Sequence, residues 1–129
     1  MKKSRTIIAS GAATLMLLLG AAQASAGDWS NYNTTVGRFN GNGYTGDQAK
    51  GVTDATGWLR SGTVGGDYKV DARMESISGT FTSGFARIGD GTNVDLPNDF
   101  TEGTRVRVRF SNDLTTRVNV QVSGSWNPR

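Results

Sequence analysis

Between residues 68 and 75 apolar and polar side chains alternate without interruption. Tyr68, Val70, Ala72 and Met74 share one parity, and Lys69, Asp71, Arg73 and Glu75 share the other. Successive side chains of a strand point to opposite faces, so this pattern specifies a strand buried on one face and wet on the other. It recurs twice. Val106, Val108 and Phe110 alternate with Arg105, Arg107 and Arg109, and Val118, Val120 and Val122 with Arg117, Asn119 and Gln121. Beyond residue 26 no segment sustains the 3.6-residue apolar period that an amphipathic helix requires. The chain is therefore expected to be all-β.

Turn chemistry sets the spacing. Gly65-Gly66 supplies the backbone freedom of a tight hairpin between strands at 58–64 and 67–74. Asp90-Gly91 does the same between 85–88 and 93–96, and Ser111-Asn112-Asp113 is expected to close a third hairpin. Shorter strands are expected at 34–39, near 49–53 and at 76–82, with loops at Gly41-Asn42-Gly43 and Leu96-Pro97-Asn98-Asp99. Seven to nine short strands, separated by turns every eight to twelve residues or so, predict a single small antiparallel β-sandwich.

The N-terminus has a different character. Lys2, Lys3 and Arg5 precede an apolar run that is densest at Leu15, Met16, Leu17, Leu18 and Leu19, and Ala24-Ser25-Ala26 follows. A basic stretch, a short apolar stretch and an A-x-A site together form a secretory signal peptide. The expectation is a signal peptide at 1–26 and a secreted domain at 27–129. Ser10, Gly11, Thr14 and Gly20 interrupt the apolar run, which is short for a spanning helix, so no membrane anchor is expected. With no cysteine anywhere, a lipoprotein anchor and disulfides are excluded.

Three of the fourteen basic residues lie before residue 27, and all eleven acidic residues lie after it. The domain alone is therefore neutral, which gives no reason to expect nucleic acid or an anionic membrane as its partner.

The chain has neither histidine nor cysteine. This removes Ser-His-Asp and Cys-His catalysis, thiol redox chemistry and the usual zinc and copper sites. A glycosidase needs only a pair of carboxyl groups, but the two glutamates, Glu75 and Glu102, lie in no apolar segment that would tune one as an acid. The acids read as solvated surface groups. No enzyme and no cofactor are expected.

Three features remain as candidate sites. Asp90, Asn93 and Asp95 offer hard oxygen ligands of the kind calcium takes, but Val94 and Asp95 occupy positions where an EF-hand loop needs a ligand and a glycine. Arg105, Arg107, Arg109 and Arg117 project from the polar faces of two strands. If those strands pair with their valines on one face, Arg117 stands opposite Arg107 or Arg109. Opposed like charges are unfavourable unless an anion lies nearby: acids of a third strand such as Asp71 and Glu75 complete a ladder, the side chains splay into water, or an anionic partner binds. Finally, Trp29 and Tyr32 lie in a polar opening segment and Trp126 near the C-terminus, placed to stack on a ligand, add to a partner or pack on their own domain.

Several segments resemble small secreted actinobacterial β-sandwich proteins: Ser30-Asn31-Tyr32, the strand Tyr68-Lys69-Val70-Asp71-Ala72-Arg73, Leu96-Pro97-Asn98, and the closing stretch from Leu114 to Trp126. Through them the chain resembles the small adaptor of umbrella toxin particles, which links a lectin-bearing subunit to the toxin polypeptide. Ser30-Asn31-Tyr32 with Thr34-Thr35-Val36 also resembles the opening of lactococcin-type bacteriocins. The missing catalytic groups and two candidate contact surfaces, the arginine face and the aromatic N-terminal arm, point to a non-enzymatic binding or assembly module whose partner is another secreted protein or a cell-surface component. The resemblance implies an adaptor in an exported antibacterial toxin complex. A bacteriocin-like protein acting alone and a carbohydrate-binding module are the alternatives.

Overall fold

The computed structural model describes residues 27–81 and 84–129. The expected signal peptide at 1–26 lies outside the described residues. Nine strands form two antiparallel sheets: β1 Ser30–Val36, β2 Asn42–Tyr44, β3 Gln48–Ala49, β4 Gly57–Val64, β5 Val70–Ser76, β6 Ala86–Ile88, β7 Asn93–Leu96, β8 Arg105–Ser111 and β9 Val120–Asn127. Sheet A has the order β1-β9-β4-β7, and sheet B the order β2-β8-β5-β6 with β3 also on β8. The chain is the β-sandwich that its alternation predicts.

The core lies between the sheets. Val70, Ala72 and Met74 of β5 and Val106, Val108 and Phe110 of β8 face Val36, Leu59, Val64, Val120, Val122 and Trp126 of sheet A. Each buried Val, Leu, Met and Phe among them contributes about 1.5–3 kcal/mol on leaving water. Tyr32 belongs to this core too, its ring 4.9 Å from that of Phe110.

The three expected hairpins are corrected. Gly65–Asp67 forms a 3-10 turn that carries the chain from β4 in sheet A to β5 in sheet B, with Gly66 and Asp67 both at positive φ. The Asp90-Gly91 turn crosses from β6 in sheet B to β7 in sheet A, and residues 112–119 cross from β8 to β9. Polar contacts to segments distant in the chain hold these crossings. Asp90 Oδ1 accepts the Val64 N–H at 2.7 Å. Buried Asn112 donates through Nδ2 to the carbonyls of Val36 and Gly37, which binds the β8–β9 crossing to the end of β1. Of the named strands only β5 and β6 are neighbours both in sequence and in a sheet.

The shorter elements also move. The expected loop at Gly41-Asn42-Gly43 overlaps β2, and most of the expected strand at 49–53 is a turn after β3. Of the segment expected at 76–82, Ser76 ends β5 and Phe81 makes an isolated bridge to Glu75. β2 and β3 run in line along β8, with three residues of one strand facing two of the other between Tyr44 and Gln48. This bulge turns Thr45 so that its Oγ1 accepts the Val108 N–H at 2.9 Å.

Candidate interaction surfaces

Each sheet turns one face outward, and each outer face gathers arginines and aromatic rings. On sheet B the register sets Glu75 opposite Arg107 and Arg73 opposite Arg109. Glu75, expected to be solvated, is only 1% exposed. Its Oε2 accepts from Arg107 Nε at 2.8 Å and lies 2.7 Å from Arg107 Nη2, while Arg109 Nη1 stands 3.6 Å from Oε1. One carboxylate thus serves two guanidinium groups.

The next row has no acid of its own. Arg73 is 8% exposed, and its guanidinium carbon lies 3.3 Å from the centroid of the Phe81 ring and 4.2 Å from that of Phe85. Cation–π attraction holds it between the rings, but no described residue accepts a hydrogen bond from it, and its Nε is buried without a partner. Burial, followed by the nearby charge of Arg109, lowers the Arg73 pKa. Arg109 itself donates to Asn42 Oδ1 at 3.2 Å. Tyr44 closes the opposite side, with Arg107 stacked 4.0 Å from its ring centroid. Tyr44, Phe81 and Phe85 all remain exposed.

Paired charges flank this centre. Arg105 bonds Asp47 at 2.8 Å, which holds that carboxyl below its usual range. Arg87 grips Asp113 through two bonds of 2.6 and 2.8 Å and reaches Asp71 at 3.4 Å, so the Asp113 carboxyl is lowered as well.

Three of the four arginines expected to form a surface do share this face, and Arg117 does not. It lies exposed in the crossing between β8 and β9, strands that belong to different sheets and never pair. The opposed arginine pair is Arg73 with Arg109. Sequence parity placed Arg73 and Glu75 on the wet side of β5. It gave no sign of the rings at Tyr44, Phe81 and Phe85, which arrive from β2 and from the segment between β5 and β6.

On sheet A the outer face carries Trp29 and Trp58, half-exposed and stacked with ring centroids 6.1 Å apart at 17°. Arg60 lies 4.1 Å over Trp29, and Arg129 lies 4.2 Å over Trp58. A cleft of about 330 Å³ opens beside the pair, lined by Trp29, Trp58, Arg60, Asn93 and Asp95, with Leu59 and Val94 beneath. Sequence reading missed Trp58 and Arg60 because they belong to β4, far along the chain from Trp29.

The other expected contact residues fall elsewhere. Tyr32 and Trp126 are buried in the core, so neither is available to a partner. Asp90 is engaged by the Val64 N–H, while Asn93 and Asp95 line the cleft. Among the described residues no three histidine, cysteine or acidic side chains converge on a point where they would hold a metal ion, and no helix is long and apolar enough to cross a membrane. No protein-family model, curated relative or solved structure matches the chain.

Proposed function

We propose that this chain is a secreted, non-enzymatic binding module that assembles with another exported protein through the outer face of sheet B. The observation that carries the reading is the Arg73–Arg109 row. Two directly opposed arginines have no acid in their own row: Arg73, almost wholly buried, lies between two exposed aromatic rings without a carboxylate contact, and Arg109 reaches only Glu75 at 3.6 Å, a carboxylate already bonded to Arg107. Like charges in register are unfavourable, and a carboxylate from a partner relieves that repulsion with charge-assisted bonds. Arginine and aromatic residues are also the types that dominate binding energy at protein interfaces. The partner segment is therefore acidic, with apolar groups to cover Phe81, Phe85 and Tyr44. The resemblance of segments 30–32, 68–73, 96–98 and 114–126 together to toxin-particle adaptors makes a component of such a particle the first partner to try.

The test is capture from culture supernatant with the domain comprising residues 27–129 as bait. A stoichiometric protein partner is expected with the unaltered domain and is expected to be lost with Arg109→Glu, which adds an acid where the partner's would sit. A strictly monomeric protein that captures nothing overturns the reading, as does capture indifferent to Arg109→Glu.

A further inference from the structure

We infer that the cleft on the outer face of sheet A binds a neutral pyranose sugar, a site separate from the arginine face of sheet B. The inference starts from hydrogen-bonding capacity that the fold leaves unused. Arg60, Asn93 and Asp95 line the cleft, and none of their side chains makes a hydrogen bond or ion pair with a described residue. Arg60 is held only by its stacking on Trp29. The strand register sets Asp95 opposite Trp58 and Asn93 opposite Arg60, so these groups stand in two adjacent rows.

The three side chains are complementary in kind. Asp95 accepts only, Arg60 donates only, and Asn93 does both. A sugar carries hydroxyls that act as donor and acceptor on neighbouring carbons, and such a set satisfies them in pairs. The stacked indoles of Trp29 and Trp58 border the same space and offer apolar surface to the C–H groups of a pyranose ring. A volume of about 330 Å³ is at the small end of ligand sites and fits one or two sugar rings rather than a polymer buried along its length.

Charge decides which sugars. Arg60 and Asp95 line the cleft with opposite signs, while Arg129, stacked on Trp58, is not among its lining residues. An anionic ligand in the cleft therefore gains from one lining charge and is repelled by the other, whereas a neutral polyol uses both. The same balance argues against a phosphate or sulfate group. Binding at an open, half-exposed cleft is expected to be weak for a single site, with affinity gained where several copies of the domain meet a glycan-coated surface.

The experiment uses the domain comprising residues 27–129 on an array that carries neutral oligosaccharides of glucose, N-acetylglucosamine, galactose and mannose beside sialylated and sulfated ones. Hits are followed by titration of tryptophan fluorescence. The expected result is binding to one class of neutral glycan. Trp58→Ala and Asp95→Ala should each weaken it by about tenfold or more, and Arg109→Glu should leave it unchanged. Asp95 is exposed, so Asp95→Ala keeps the test valid if Trp58→Ala unfolds. Binding to no neutral glycan, preference for the anionic ones, or retention of affinity in Asp95→Ala overturns the inference. None of these outcomes bears on capture of a protein by sheet B.

Discussion

Two buried residues show how little a residue's type says about its task in this domain. Tyr32 lies against Phe110 with its hydroxyl beside that of Ser61, both buried and neither within hydrogen-bonding geometry. Burial pushes the Tyr32 hydroxyl up to about 12, with Ser61 pulling the other way. The folded state therefore favours the neutral phenol. Its contribution to stability is complete below pH 10.0 and is lost as pH rises from there through about 12. Tyr32→Phe has no such proton, so urea unfolding of both proteins across that range should show the unaltered protein losing stability relative to the variant. Profiles that stay parallel refute this assignment. Near neutral pH the same substitution removes an orphaned hydroxyl and should cost nothing, or add up to about 1 kcal/mol. Glu75 is the opposite case, a buried acid on which the arginine face depends. Glu75→Ala leaves Arg107 and Arg109 without their carboxylate and takes a nearby negative charge away from Arg73. It should destabilise by about 3 kcal/mol, near the lower bound for breaking a buried pair, because Arg107 still touches water. Glu102→Ala, on an exposed loop, is expected to change stability by less than about 0.5 kcal/mol in the same denaturation assay.

At the scale of the element, alternation identified β5 and β8 and the buried parity of each, because a period of two has only one meaning when one face is dry. It overran the starts of β5 and β9, where Tyr68 and Val118 are exposed and the strands begin at Val70 and Val120. The glycine and Asx turns were visible as turns but not as crossings. Chain reversal within a sheet and transfer to the facing sheet draw on the same residues, and the choice belongs to distant partners. Asp90 is the example, since its acceptor role depends on Val64, 26 residues away. Asp90→Ala should therefore cost about 1–2 kcal/mol by leaving a buried N–H without its acceptor. The melting temperature of the unaltered protein should be equal in calcium and in chelator, and a rise in millimolar calcium would restore a ligand role to this loop. Gly124 of β9 matters through close approach. A Cβ there would stand 2.2 Å from the Arg60 carbonyl oxygen and 2.8 Å from Tyr32 Oη, beside the bulge that shifts the β4–β9 register between Ser61 and Thr63. Gly124→Ala is expected to destabilise by about 2–3 kcal/mol. Gly46→Ala, where no described residue beyond its chain neighbours lies within 4 Å, should be near neutral by thermal denaturation.

For the whole molecule, the arrangement is a sandwich whose two outer faces both combine arginines with aromatic rings, one centred on the buried carboxylate of Glu75 and one on the stacked Trp29 and Trp58. Export is the premise of the functional proposal, and it has its own check. Protein recovered from culture medium should have the mass and N-terminal sequence of a chain that begins at Gly27, and an intact N-terminus would remove the premise. What the sequence by itself determined is the all-β class, the buried parity of its clearest strands, the absence of histidine and cysteine chemistry, and the neutrality of residues 27–129. Each of these follows from residue type and local order, which need no knowledge of distant neighbours. Only the tertiary structure decided that Tyr32 and Trp126 are core, that Arg117 stands apart, and that Arg73 rather than Arg117 opposes Arg109. It also brought Phe81 and Phe85 around Arg73 and set Trp58 beside Trp29. The physical reason is common to all of them: strand pairing in this fold joins segments far apart in the chain, and the choice among registers is made by closure of the shared core, not by the preferences of either strand alone.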